Sequence, residues 1–261
     1  MNWLHALILG LIQGLTEFLP ISSSGHLELG KALFGVDVEG SLLFTVVVHF
    51  ATVLSTIFVF RKDIKNLFVG FFSKGHNDTK IYVWKLLLSL IPVLLVGLFL
   101  KDKVELLFDG NIVFVGAMLL VTALLLTVSY YKKPGVRKIG WVDAFVIGIA
   151  QAVAVIPGIS RSGATIATGM IIGNNRADLA KFSFLMVIIP IVGELFLDVI
   201  SGELFVSQIG FAPLLIGFLA AFISGLFACK VMIKLVQKGK LIWFAVYCSI
   251  IGLIAIIINF V

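Results

Sequence analysis

The chain has 261 residues, 60% hydrophobic and 13% charged, with a mean hydropathy of +1.15. That balance belongs to an integral membrane protein and excludes both a soluble domain with a greasy core and room for a separate soluble domain. The net charge of +6 is not a nucleic-acid footprint, because the basic residues sit mostly in short loops between apolar runs, where they set topology.

In chain order, Asn2–Leu19 reads as an apolar helix stopped by Pro20, and Ser24–Phe34 as a half-length helix ending near Gly35. Neither reaches the ~20 residues a bilayer crossing needs, so together they predict a re-entrant hairpin with its tip at Pro20–Ser24. Ser41–Phe60 is a full span, Arg61–Lys80 a basic connection, and Ile81–Leu100 a span kinked at Pro92. Lys101–Gly110 reads as a loop and Asn111–Tyr131 as a clean span. The second half repeats the order. Ile139–Ile156 and Ser160–Gly173 form a second hairpin broken at Pro157-Gly158, followed by spans near Leu179–Ile200, Pro213–Leu235 and Leu241–Val261. The expected fold is therefore an all-α integral membrane protein of six transmembrane helices plus two re-entrant helical hairpins. It forms a single membrane domain over 1–261, with repeats at roughly 1–131 and 139–261. Three crossings per half make the repeats inverted. Cys229 and Cys248 lie in apolar runs and read as packing residues, and the N-terminus lacks the basic region of a cleaved signal peptide.

A duplication supports this plan. A shift of 138 residues, the separation of Gln13 from Gln151, also aligns Trp3 with Trp141, Ala6 with Ala144, Gly10 with Gly148 and Ile21 with Ile159. It likewise pairs Ser22 with Ser160, Ser24 with Ser162, Gly25 with Gly163 and Gly35 with Gly173. The two matched tips are polar where the chain is otherwise apolar, and such residues at membrane depth are costly unless they line a wet cavity. Each tip precedes a helix N-terminus, which favours an anion. The tips differ in what they add. Glu17, Ser23 and His26 in the first are proton carriers and a nucleophile, and they align with Val155, Arg161 and Ala164. Arg161 in the second is a fork suited to phosphate oxygens. Gln13, Ser22, Ser24, Ser160, Ser162 and Thr165 are the candidate binding residues around them. Competing readings stand beside these: the serines as helix caps, Gln13 and Gln151 as interhelical hydrogen-bond glue, and Glu17–Arg161 as a structural ion pair. His49, mid-span, reads as a packing histidine rather than a cavity residue. Glu194 is a candidate cavity residue, Asp198 lies nearer a span end, and His5 and His76 look interfacial.

The runs Glu17–His26 (EFLPISSSGH) and Pro157–Thr165 (PGISRSGAT) resemble the two signature motifs of the undecaprenyl-diphosphate phosphatases of the bacitracin-resistance (BacA/UppP) type, and the resemblance covers essentially the whole chain. It implies a bacterial inner-membrane enzyme that hydrolyses undecaprenyl diphosphate to the monophosphate, with its active site opening to the periplasmic side. Such an enzyme recycles the carrier lipid for peptidoglycan and raises bacitracin tolerance. The resemblance implies that Glu17, Ser23, His26 and Arg161 are functional, with Thr165 as a further second-motif position. It also associates the family with Mg²⁺ or Ca²⁺. Some members carry Glu where this chain has Gln13, which removes a second carboxylate from any metal site; the metal ligands stay unknown. The nucleophile stays open among Ser23, His26 and water, and a homodimer stays open as the assembly. The alternative from a different class is a transporter or flippase of polyprenyl phosphates, since fold alone does not separate the two.

Arg61–Lys80, Lys132–Lys138 and the loop holding Lys234, Lys238 and Lys240 are the cation-rich connections, so they are expected on the cytoplasmic side, with both termini and Glu203 outside. Cysteines placed at Lys74 and Glu203 should label from opposite faces of the membrane. Labelling from one face would refute the six-crossing topology.

Overall fold

The computed structural model describes residues 1–35, 42–75, 77–108, 111–193 and 209–258. The protein is 80% helical and shows no strands among the described residues. Both hairpins are built from local capping chemistry. Helix α1 (Trp3–Thr16) starts on Asn2, whose Oδ1 accepts the His5 N–H at 2.8 Å, and stops as the chain turns into Pro20. Helix α2 (Ser23–Phe34) starts on Ser22, whose Oγ accepts the Gly25 N–H at 3.2 Å, and ends at Gly35 in the left-handed conformation.

Helix α3 (Leu42–Val59) is followed at once by α4 (Arg61–Phe72), bent from it by 73°. Part of the expected basic connection is thus a helix. Its exposed Arg61, Lys62 and Lys65 keep it at the water boundary, and exposed Phe68, Val69 and Phe72 are the apolar groups that an interfacial helix presents to lipid. Helix α5 (Asp78–Phe99) is capped by Asn77 and runs on through Pro92. The expected loop after it is a short helix, α6 (Lys101–Glu105), with a 3₁₀ turn at Leu106–Phe108. Helix α7 (Ile112–Tyr131) closes the first half.

The second hairpin is α8 (Trp141–Val153) and α9 (Arg161–Ile171), the latter capped by Ser160, which accepts the Gly163 N–H at 3.1 Å. Helix α10 (Arg176–Met186) then breaks at Val187, so the expected span Leu179–Ile200 is not one continuous helix. Pro190 is the cause: it has no N–H for the carbonyl four residues back, that of Met186, and its ring crowds that carbonyl. Glu194, Asp198 and His76 lie outside the described residues. Helices α11 (Phe211–Gln237) and α12 (Ile242–Ile258) complete the chain. Among the described residues α5, α7 and α11 are long and apolar enough to cross a membrane, and a fourth span results if the bent pair α3–α4 counts as one.

Small residues let these helices approach backbone to backbone. A Cβ on Gly10 of α1 would lie 2.5 Å from the Gly217 carbonyl of α11, and one on Gly148 of α8 would lie 2.4 Å from the Ser89 carbonyl of α5. Helices α7 and α12 meet through Gly116 and Gly252, each facing the other's carbonyl. At the hairpin tips, Gly25 faces the Gly158 Cα and Gly163 faces the Pro20 Cβ. Aligned glycines thus occupy matching crossings in the two halves. Gly148→Ala is expected to lower thermal stability in detergent by about 1–3 kcal/mol, since the clash is with backbone that cannot swing away. Gly97→Ala, where nothing lies within 4 Å, is the control and should be neutral.

Candidate active site

The tips of the two hairpins meet. Ser162 Oγ at the start of α9 donates to the Leu19 carbonyl in the first tip at 3.2 Å. Thr122 of α7 donates to the Gly158 carbonyl at 3.1 Å and accepts the Ser160 N–H at 3.0 Å. The Cys248 thiol of α12 points at the Pro20 carbonyl at 3.6 Å. These bonds satisfy unwound backbone far from bulk water.

At the junction lies Glu17, its side chain only 5% exposed. Oε1 pairs with Arg161 Nη2. Oε2 accepts the Ser23 hydroxyl at 2.6 Å and the Gln13 amide at 2.9 Å. His49 Nε2 of α3 stands 3.9 Å from the same oxygen. One carboxylate therefore joins α1, the turn into α2, α3 and α9. Arg161 is 26% exposed, so its fork can present donors to an incoming anion. A small cavity bordered by Glu17, Thr52, Thr56, Arg161, Ser162 and Ser183 continues from this pair, with a volume of about 10 Å³, room for a single water.

Ser23 follows a strained residue. Ser22 has φ +68°, the only positive φ at a non-glycine among the described residues, whereas its counterpart Ser160 has an ordinary φ of −71°. Strain of this kind persists only where the surroundings over-determine it and clusters at active sites. The next residue is Ser23, whose hydroxyl donates to Glu17.

The remaining candidates divide. Gln13 is fully buried and holds Glu17, so it meets no ligand directly. Ser22 and Ser160 cap their helices, and Ser24 and Ser162 each lie 3.3 Å from the preceding cap's hydroxyl. The Thr165 hydroxyl is buried against the Arg161 and Ser162 carbonyls and Ser183 Oγ, turned away from Glu17. His26 is not aimed at Ser23. Its Nδ1 faces the Ser22 carbonyl at 2.8 Å, which places the proton on Nδ1 and leaves Nε2 to accept from the Tyr247 hydroxyl at 2.8 Å. Sequence reasoning missed Tyr247, because nothing in the α12 run marks it. It weighed His49 as packing, because an isolated histidine in an apolar run carries no partner information.

The donor set does not fit a divalent cation held by protein alone. Among the described residues no group of three His, Cys, Asp or Glu converges, and both oxygens of the one carboxylate here are engaged by Arg161, Ser23 and Gln13.

A multi-pass membrane protein whose buried carboxylate, serine and arginine meet at two broken helices is the class this geometry defines. Comparison narrows it: the sequence profile described as "Bacitracin resistance protein BacA" matches residues 6–254, and the chain belongs to that family. A Bacteroides thetaiotaomicron protein is 56% identical over 261 residues, covering 98% of this chain and 99% of its own. A Bacteroides fragilis relative is 54% identical over 263 residues, covering 99% of each, and one from Carboxydothermus hydrogenoformans is 39% identical over 268. All three are named undecaprenyl-diphosphatase.

Glu17→Gln keeps an oxygen for Ser23 but leaves Arg161 without its counter-charge. Discounting for the arginine's partial exposure, the expected loss of stability in detergent is about 1–3 kcal/mol, read from thermal unfolding. An unchanged unfolding temperature would show that the pair does not hold the hairpins together.

Proposed function

We propose that this protein hydrolyses undecaprenyl diphosphate to undecaprenyl phosphate and inorganic phosphate, recycling the carrier lipid of cell-wall synthesis. The observation that carries the reading is the Ser23 hydroxyl donating to the carboxylate that Arg161 grips. A carrier would need the arginine clamp and the helix N-termini but has no use for a serine hydroxyl held on a base.

The chemistry follows from the residues. Glu17 pairs with Arg161 at the position a phosphate would take. The terminal phosphate of the lipid takes that place beside the N-termini of α2 and α9, whose first-turn N–H groups lack intrahelical partners. Glu17, released from the arginine, accepts the Ser23 proton as Oγ attacks the terminal phosphorus. The P–O bond to the bridging oxygen breaks, and the lipid monophosphate leaves. Water then attacks the phosphoserine, one proton returning to Ser23, and phosphate departs. Charge neutralisation at the phosphoryl oxygens falls to Arg161 and the backbone amides. His26, turned to Tyr247, is placed to bind or orient rather than to take the serine proton.

We also read the chain as an inverted repeat of 1–131 and 139–261 with six crossings, lying in the bacterial inner membrane with the Glu17 site open to the outside. The matched glycine crossings, the identical Ser-capped tips and the cation-rich connections support this.

Phosphate release by purified protein in detergent, where transport has no meaning, tests the activity. Ser23→Ala and Glu17→Ala should each lower kcat by about 10²-fold or more, and the double variant should fall little further. Arg161→Lys should lose most activity, because an ammonium does not reproduce a two-pronged hold on phosphate. Full activity in Ser23→Ala would end the phosphoserine route.

A further inference from the structure

Among the described residues, His49 is the titratable group beside Glu17 that the proposed chemistry leaves unused. It sits on α3, outside both signature motifs. Its Nδ1 lies 2.9 Å from the Thr45 carbonyl one turn back. A carbonyl only accepts, so Nδ1 carries the proton and the Nε2 lone pair is free. That nitrogen faces Glu17 Oε2, the oxygen to which Ser23 donates, at 3.9 Å. The separation is slightly beyond a hydrogen bond in the resting site, where Oε2 already has two donors and carries no proton of its own. Once Ser23 has passed its proton to Oε2, that oxygen becomes a donor with an acceptor in front of it.

We propose that His49 is the terminal proton acceptor of the site, set in its tautomer by Thr45 and taking from Glu17 the proton that leaves Ser23. The proposal rests on the phosphoserine reading. The bookkeeping of atoms is simple: the Ser23 Oγ–P bond forms, the anhydride P–O bond breaks, and the serine proton moves through Glu17 to His49 Nε2. Glu17 is thereby returned to its charged form with Arg161 still close by. In the second half, water gives its hydroxide oxygen to phosphorus and a proton to Ser23, and His49 releases the first proton to water. A quarter of its side chain is accessible.

The surroundings favour the assignment. Glu17 is free of Arg161 only while the phosphate fills the clamp; for the ion pair to re-form the proton must move on, and the His49 Nε2 lone pair stands in front of the oxygen that carries it. Among the described residues, the charged groups facing His49 are Glu17 at the end of α1 and, across that carboxylate, Arg161 of α9. Helix α11 meets this part of α3 with Phe218, Phe222 and Gly225, which carry no charge. The charges of α4 begin at Arg61, about 18 Å further along the helix axis.

The test is the pH dependence of undecaprenyl diphosphate hydrolysis in detergent. Wild-type kcat should fall on an acid limb, because the route needs the Nε2 lone pair of His49. In His49→Gln that limb should vanish, with kcat lowered about 10–10²-fold at alkaline pH and KM changed less than about threefold. In His49→Ala, added imidazole should restore part of the rate. A wild-type pH profile in His49→Gln overturns the proposal, and so does a folded His49→Ala that ignores imidazole. The glutamine variant carries the test by itself if the alanine variant does not fold. Ser23→Ala separates the two claims: activity retained there overturns the phosphoserine reading, whereas an unchanged profile in His49→Gln overturns only the proton transfer.

Discussion

The ion pair between Glu17 and Arg161 is the constraint on which the rest depends. Each charge sits where an unpaired ion would be costly, and each comes from a different hairpin. Neither half can close its own tip without the other. The neutral bonds around the pair follow the same rule: Ser162 satisfies Leu19 across the junction, and Thr122 satisfies Gly158 and Ser160 from α7. Backbone that leaves helical geometry at membrane depth must find partners in protein, and here it finds them in the opposite hairpin or in the helices flanking it.

The duplicated tips share their caps but not their chemistry. Ser22 and Ser160 make the same hydrogen bond to the glycine three residues on, and Ser24 and Ser162 repeat the same contact to them. What differs is Glu17, Ser23 and His26 against Val155, Arg161 and Ala164, and, at Ser23 and Arg161, the backbone that presents the side chain. The first tip carries its strain at Ser22; the second, at the same position, is relaxed. A clamp tolerates relaxed geometry because a long guanidinium side chain reaches its anion. A nucleophile on a one-carbon side chain has no such reach, so the backbone must aim it.

Much of this was legible in the sequence because its signals are local. Proline, glycine and serine mark the hairpin tips, and capping needs no knowledge of the rest of the chain. The recurrence at 138 residues, set by Gln13 and Gln151, paired the tips before any contact was known. What stayed hidden depends on partners far along the chain. The 73° bend into α4 falls between two residues with no breaker between them. Tyr247 matters through His26, 221 positions away. His26 itself lies one turn from Ser23 in sequence, yet its ring turns to the Ser22 carbonyl and to α12 instead. The break at Pro190 is the opposite case, a local signal that the run of apolar residues around it outweighed.

On the proposed route, the same ion pair that holds the hairpins also sets the order of events. While Glu17 is paired with Arg161, the serine is held on the carboxylate but not activated. A diphosphate that takes the arginine does two things at once: it fills the clamp, and it frees Glu17. With Arg161 turned to the phosphate, Glu17 Oε2 is free to take the proton of the Ser23 hydroxyl that already donates to it. Substrate binding and base activation become one exchange rather than two steps. Water alone, arriving without a phosphate, leaves the pair closed and the serine idle. The structural bond and the catalytic switch are the same contact, which is why the residues that build the fold at this junction are also the ones that carry its chemistry.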